Sequence, residues 1–395
     1  MAERERDQMG APAGWTIPVF CVPWSGVFDH RVRRPTLSSH RPHRTLGLHH
    51  ALIALALIAA LSGFTAGQDK SPAAKPVPEP AAAKVADPMA SFARMMPGMW
   101  RRTVLSGTST FDSWHWGPGR HSMRVMTDGL DAAGRPWREL QVLYWHPGRK
   151  QVCLLSLHPD VPGIGPGVGE GTIRFEGETA VAAYDLYQRR GRRKMGLRWA
   201  FDGPDKYHAT LLEARGTAGF KPLVEWDYVR VKTRPRGAEA APKPSEHLKV
   251  LEPLLGRTWE AKSDDAAGDA FQIRSTFEWV PYADYVYARV LAPGKDGGLP
   301  HLLDAYLYHH TGTGALRCLA LLERGGVYEG DLTVPDTGAL QLDLKGYEDD
   351  RGVPHVVRFD FERDGTLRHR VWSLKGPEHT LLLDVHQKQL DPKRD

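Results

Sequence analysis

The chain has 395 residues, more than one hydrophobic core usually spans, so ordinary domain sizes predict two or three domains. Its composition, 41% hydrophobic and 25% charged, is that of a folded protein, and 40 glycines with 30 prolines favour short strands joined by turns over long helices. The formal charge of +5 is mostly an N-terminal feature: without the seven Arg and four acids of residues 1–67 the rest holds 45 basic and 43 acidic residues, which excludes broad steering toward nucleic acid.

In chain order, residues 1–50 are rich in Pro, Arg and His and carry no apolar periodicity. The apolar run Ala51 to Leu61 follows Arg41, His43 and Arg44 and precedes the small-residue stretch Ser62 to Gly67. Such a run is too short for a bilayer, which needs roughly 20 residues, and suits the core of a signal peptide. Residues 1–67 therefore read as an N-terminal extension and signal peptide, with cleavage near Gly67 and Gln68. The mature protein is expected to be exported (periplasmic, in the cell envelope or extracellular) with no stable membrane span. Arg33 and Arg34 loosely resemble a twin-arginine signal. Residues 68–88 form a Pro- and Ala-rich linker unable to bury enough apolar surface to order itself, and a similar stretch covers 233–245. These linkers delimit two blocks, 89–232 and 246–391.

The two blocks repeat one another in order. Each opens with a short helix-compatible segment ending at a Trp, Trp100 in the first and Trp259 in the second. Trp116 and Pro118 answer Trp279 and Pro281; Gly134, Pro136, Tyr144, His146, Gly148 and Cys153 answer Gly298, Pro300, Tyr308, His310, Gly312 and Cys318, with one residue of spacing different. Glu170 and Gly171 then answer Glu329 and Gly330, and Arg198 and Phe201 answer Arg358 and Phe361. Within each block, apolar or alternating runs recur every 8 to 12 residues or so between turn signals, the pattern of sandwiches and barrels. In residues 356–361 Val357, Phe359 and Phe361 share one face and Arg358 and Asp360 the other, as a half-buried antiparallel strand requires. Eight to ten strands per block are expected, and that many commonly close on themselves to remove exposed edges.

The opening His247, Leu251, Leu254, Gly256 and Trp259, with the turns Tyr308 to Gly312 and Tyr144 to Gly148, resembles a bacterial domain family of unknown function with a lipocalin-like β-barrel. The resemblance implies an all-β chain of two tandem antiparallel barrels, lipocalin- or calycin-like, each with a short N-terminal helix and a cavity. It carries no catalytic residues over.

A closed barrel of about eight or more strands can hold a ligand. The expected function is therefore non-enzymatic binding of a small apolar or amphipathic ligand, with His146, His310, Tyr144, Tyr308, Trp199 and Tyr306 as candidate contacts. A structural module of the cell envelope is one alternative, and an enzyme using His146, His310, Glu170 or Glu329 is another. No nucleophile elbow, phosphate loop, zinc spacing or nucleotide fingerprint occurs, so no cofactor, metal or nucleic-acid partner is expected, and oligomeric state is not readable. Each candidate also has a plainer reading. His146 and His310 enter turns and suit turn capping or a surface role, and Glu170 and Glu329, each before a Gly, suit turns. Cys153 and Cys318, taken as equivalent positions, suit buried small hydrophobes. Trp137, Trp226 and Tyr285 either line a cavity or fill a core. Residues 188–194 read as a basic hairpin tip whose counterpart, 347–351, is acidic, a difference of sign that would let the blocks attract each other.

Overall fold

Strand formation follows the alternation written in the sequence. In Leu340–Tyr347 the side chains of Leu340, Leu342 and Leu344 are buried while Asp343 and Lys345 are exposed, and in Thr179–Gln188 the buried set is Ala180, Ala182, Tyr184 and Leu186. The computed structural model describes residues 88–390 except 96–97, 104–108, 132, 159–163, 217–218, 234–243, 264–270, 293–297, 336 and 376–378. The expected signal peptide, the twin-arginine resemblance and most of both linkers lie outside the described residues.

The first ten strands are β1 (Gly98–Thr103), β2 (Ser109–Trp116), β3 (Ser122–Leu130), β4 (Pro136–His146), β5 (Gln151–His158), β6 (Gly167–Glu176), β7 (Thr179–Gln188), β8 (Gly191–Asp202), β9 (Lys206–Ala214) and β10 (Phe220–Val231). The second ten are β11 (Arg257–Ser263), β12 (Phe271–Val280), β13 (Tyr285–Leu291), β14 (His301–His309), β15 (Leu316–Leu322), β16 (Val327–Thr333), β17 (Leu340–Tyr347), β18 (Gly352–Phe361), β19 (Leu367–Ser373) and β20 (Thr380–Gln389). Each set runs up and down, antiparallel throughout, and closes into a barrel through β1 with β10 and β11 with β20. The protein is thus all-β, two ten-stranded barrels in tandem. Lipocalin barrels have eight strands, so the resemblance reaches the closed meander and not the strand number. The helix-compatible openings are 3₁₀ turns, Ala90–Met95 and Glu246–Leu251, whose Phe92 and Met95, and Leu248 and Leu251, join the cores of their own barrels. Among the described residues no helix is long and apolar enough to cross a membrane.

Four strands depart from alternation. From Val152 to His158 in β5 every residue is buried, as is every residue from Leu302 to Tyr308 in β14, and β4 and β15 are buried nearly as continuously. Their inner faces pack the lumens, while the outer faces of the two barrels, which belong to one compact unit, pack against each other. Leu140, Val142, Tyr144, Leu155 and Leu157 meet Tyr285, Tyr306, Tyr308, Leu319 and Leu321 in a third core between the barrels.

The register corrects one expected equivalence. Tyr144 pairs with Cys153 across its hairpin, but Tyr308 pairs with Arg317, so the partner of Cys153 in the repeat is Arg317 and that of Cys318 is Leu154. The one-residue difference in spacing places the two thiols on opposite strand faces. Cys153 faces the inter-barrel core and Cys318 the second lumen.

Candidate functional site

Tyr144, His146 and Glu170 of the first barrel, and Tyr308, His310 and Glu329 of the second, converge between the barrels. They do so with approximate twofold reciprocity. His146 Nε2 lies 3.6 Å from Glu329, and His310 Nε2 lies 3.7 Å from Glu170. Nδ1 of His146 accepts the backbone N–H of Arg149 at 3.1 Å, and Nδ1 of His310 accepts those of Gly312 and Thr313 at 3.1 Å. With Nδ1 accepting, each ring places Nε2–H toward the opposite carboxylate. Both rings cap turns, as expected, but are buried rather than at the surface, because the opposite barrel covers them. Tyr347 packs on His146 at 4.6 Å and Tyr187, its repeat partner, packs on His310 at 4.9 Å.

Glu170 and Glu329 are strand residues of β6 and β16, not turn residues. Each also meets a guanidinium from the other barrel: Arg149 lies 2.5 Å from Glu329 and Arg317 lies 3.7 Å from Glu170. Burial would raise both carboxyls, but the opposing histidine and arginine hold them below the usual carboxylate range. Between them lies a cavity of about 60 Å³, room for a few water molecules. Tyr306 packs in the same inter-barrel core, against Tyr285 and Tyr287. The acidic tip does bridge the barrels, although its Asp350 meets Lys150 at 3.4 Å rather than the basic tip at 189–190. His309 faces away from His310 and stacks on His247 at 3.7 Å. Among the described residues no group of three or more His, Cys, Asp or Glu is placed to hold a metal ion.

The two lumens differ in chemistry. The second holds an apolar cavity of about 60 Å³ lined by residues such as Leu251, Phe277, Leu303, Leu342 and Phe359. His369 lines it too, stacked on Phe359 at 4.5 Å, fully buried and with no hydrogen-bond partner for either ring nitrogen. Burial alone pushes its pKa down to about 3, so the ring is neutral. Gln387, inward-facing on the neighbouring β20, likewise has no partner at either end of its amide.

Trp199 lines the first lumen with Trp114, Trp226, Tyr184 and Tyr228, around Arg102, Asp112, Glu139 and His158, in a cavity of about 40 Å³. Tyr207 donates to Asp112 Oδ2 at 2.8 Å while Oδ1 has no partner. Burial, against the opposing effect of Arg102, raises the Asp112 pKa to about 6. Glu139 Oε1 accepts from Gln141 at 2.8 Å and Ser156 at 3.2 Å, and lies 3.5 Å from His158 Nδ1. Sequence reasoning missed this cluster and His369. The available signal was a charged or polar residue at an inward position of an alternating strand: His369 between Leu367 and Val371, and Glu139 and Gln141 before Leu143.

No family model matches the chain, and no curated protein matches it. Among solved structures it is similar to a protein of unknown function of the DUF3598 family from Nostoc punctiforme, at 10% identity, covering 77% of this chain and 99% of that one, with a TM-score of 0.20. At that score the likeness carries no argument.

Proposed function

We propose that the protein binds small, neutral, largely apolar molecules that carry one hydrogen-bonding group, in the lumen of the second barrel. The observation that carries this reading is His369, a buried imidazole with two unsatisfied nitrogens in a cavity otherwise lined by apolar side chains and Ser275. Leaving a buried polar group unpaired costs roughly 1–3 kcal/mol, and a ligand hydroxyl or carbonyl beside the ring removes that cost. The lining holds no charged side chain and His369 is neutral, so a charged ligand would lose its hydration with nothing in return. The apolar walls supply affinity and the imidazole supplies orientation. The leader-like run Ala51 to Leu61 supports placing this binding outside the cytoplasm.

Calorimetric titration of the full chain with 1-propanol, 2-propanol and cyclopropane, sized to a cavity of about 60 Å³, tests the reading. Saturable binding with a negative heat-capacity change is expected, tighter for the two hydroxylated probes. In His369→Leu that preference disappears while cyclopropane still binds. Absence of saturable binding by all three, or an unchanged preference in the variant, overturns the reading.

A further inference from the structure

The first lumen is built for something else. In register, its Arg102, Asp112, Thr127, Glu139, Ser156 and His158 correspond to Ala261, Ser275, Val290, Leu303, Ala320 and Leu322 of the second barrel. The same fold therefore closes without charged groups at these positions, and architecture does not require them. Buried charges cost several kcal/mol each unless fully paired, and here the pairing is incomplete.

We infer that the lumen of the first barrel is a second, separate binding site, for a small organic ammonium ion that donates to the buried Oδ1 of Asp112 and rests its carbon atoms on the tryptophans. Three observations converge on a cation. Two carboxylates, Asp112 and Glu139, face one guanidinium across the cavity, so the carboxylates outnumber it. Asp112 Oδ1 is buried and lines the cavity with no hydrogen bond of normal geometry, the Thr127 hydroxyl being the donor beside that carboxylate; the other polar atoms without a formal partner there, Trp114 Nε1 and His158 Nδ1, are directed at the Tyr207 hydroxyl and the Glu139 carboxylate. The aromatic wall already carries a cation: the Arg102 guanidinium sits 4.5 Å over the ring of Trp226 and 6.0 Å from that of Tyr228, the arrangement in which the negative face of an aromatic ring attracts positive charge. An anion would meet two carboxylates, and a neutral guest would leave the excess charge unanswered. A cavity of about 40 Å³ limits the guest to a few heavy atoms.

The experiment is a titration of the full chain with ethylammonium chloride at fixed ionic strength, followed by tryptophan fluorescence and calorimetry, with ethanol as the neutral probe of like size. Saturable binding of ethylammonium that depends on Asp112 is expected, whereas any binding of ethanol, which the second lumen would take, is the same in wild type and Asp112→Asn. In Asp112→Asn the affinity falls at least tenfold, and Glu139→Gln weakens it to a lesser degree. Wild-type affinity also declines as pH falls through about 6, where Asp112 takes up its proton among Arg102, Glu139, His158, Thr127, Tyr207 and Tyr228. 2-Propanol binding in the second barrel is unchanged in Asp112→Asn, so the two sites fail or stand independently. No saturable amine binding, full amine affinity in Asp112→Asn, or a loss of ethanol binding in Asp112→Asn equal to that of the amine overturns the inference.

Discussion

Gly148→Ala reads out whether the barrels dock in solution as they do here, because the sign of its effect depends on the other barrel. Gly148 does not have a positive φ, so alanine fits its backbone. In an undocked chain the substitution would be neutral or would stabilise by about 0.4–1 kcal/mol, since alanine restricts the unfolded state more than glycine does. In the docked protein a Cβ at Gly148 would stand 2.4 Å from Cδ1 and 2.9 Å from Cε1 of Tyr347, across the interface. The Tyr347 ring is held against His146 and must shift, an overpacking cost of about 1–3 kcal/mol. Net destabilisation of about 1–2 kcal/mol is expected in urea unfolding followed by tryptophan fluorescence. Tyr347→Ala in the same chain should recover most of it, giving a coupling energy above about 0.5 kcal/mol. Gly312→Ala should behave alike, its Cβ falling 2.8 Å from Tyr187. A neutral or stabilising Gly148→Ala with no coupling to Tyr347 would refute the docked arrangement.

Glu170 and Glu329 are held below the usual carboxylate range in the folded state, so the stability they contribute is present above the ordinary Glu value of about 4.5 and is lost as pH falls through their lower folded values. The urea midpoint should therefore drop on acidification below about pH 4.5, and Glu329→Gln should flatten that decline. Asp112 behaves oppositely: its folded pKa of about 6 exceeds 3.8, so its ionisation costs stability progressively as pH rises from about 4 to about 6. Asp112→Asn should stabilise the protein at pH 7 by up to about 3 kcal/mol, from roughly two pKa units, and should show no gain near pH 4 in the same urea series. Burial pushes the Cys153 thiol up to about 11 and Cys318 up to about 12. Both should resist iodoacetamide at pH 8 in the native protein and react on unfolding, as peptide mapping would show.

The tandem barrels were legible because strand periodicity and turn chemistry are local. Val357, Phe359 and Phe361 turn inward while Arg358 and Asp360 pair outside at 2.9 Å, as their alternation requires. The docking face was present in the sequence but needed a different signal. Unbroken apolar runs such as Cys318 to Leu322 mark strands buried on both faces, which in an antiparallel barrel means a neighbour on the outside. The recurrence of Tyr144, His146 and Gly148 as Tyr308, His310 and Gly312 looked like turn chemistry because a single chain shows which residues repeat and not what they touch. Only the closed structure brings Glu170 to His310, 140 residues away. The lumen sites were least legible. Arg102, Asp112, Glu139 and His158 sit on four strands, at no spacing that marks chemistry, and become a site only because inward side chains of a closed barrel converge.

The two faces of a strand can be substituted separately, since neighbouring side chains point to opposite sides. In β4 and β14 the outward Tyr144 and Tyr308 match while the inward Glu139 and Gln141 stand where the second barrel has Leu303 and Ala305. In β5 and β15 the outward Leu155 and Leu157 match Leu319 and Leu321, and the inward Ser156 and His158 stand opposite Ala320 and Leu322. Each glutamate also meets an arginine from the opposite barrel, supplied by Arg149 from a turn and by Arg317 from a strand, so the charge balance of the interface is preserved even where its sequence is not. Docking constrains the outer face of these four strands and leaves the inner face free. Two barrels held together by one repeated motif can thus carry unlike lumens, one apolar and one charged, and a substitution inside either should alter what that barrel binds without loosening the pair.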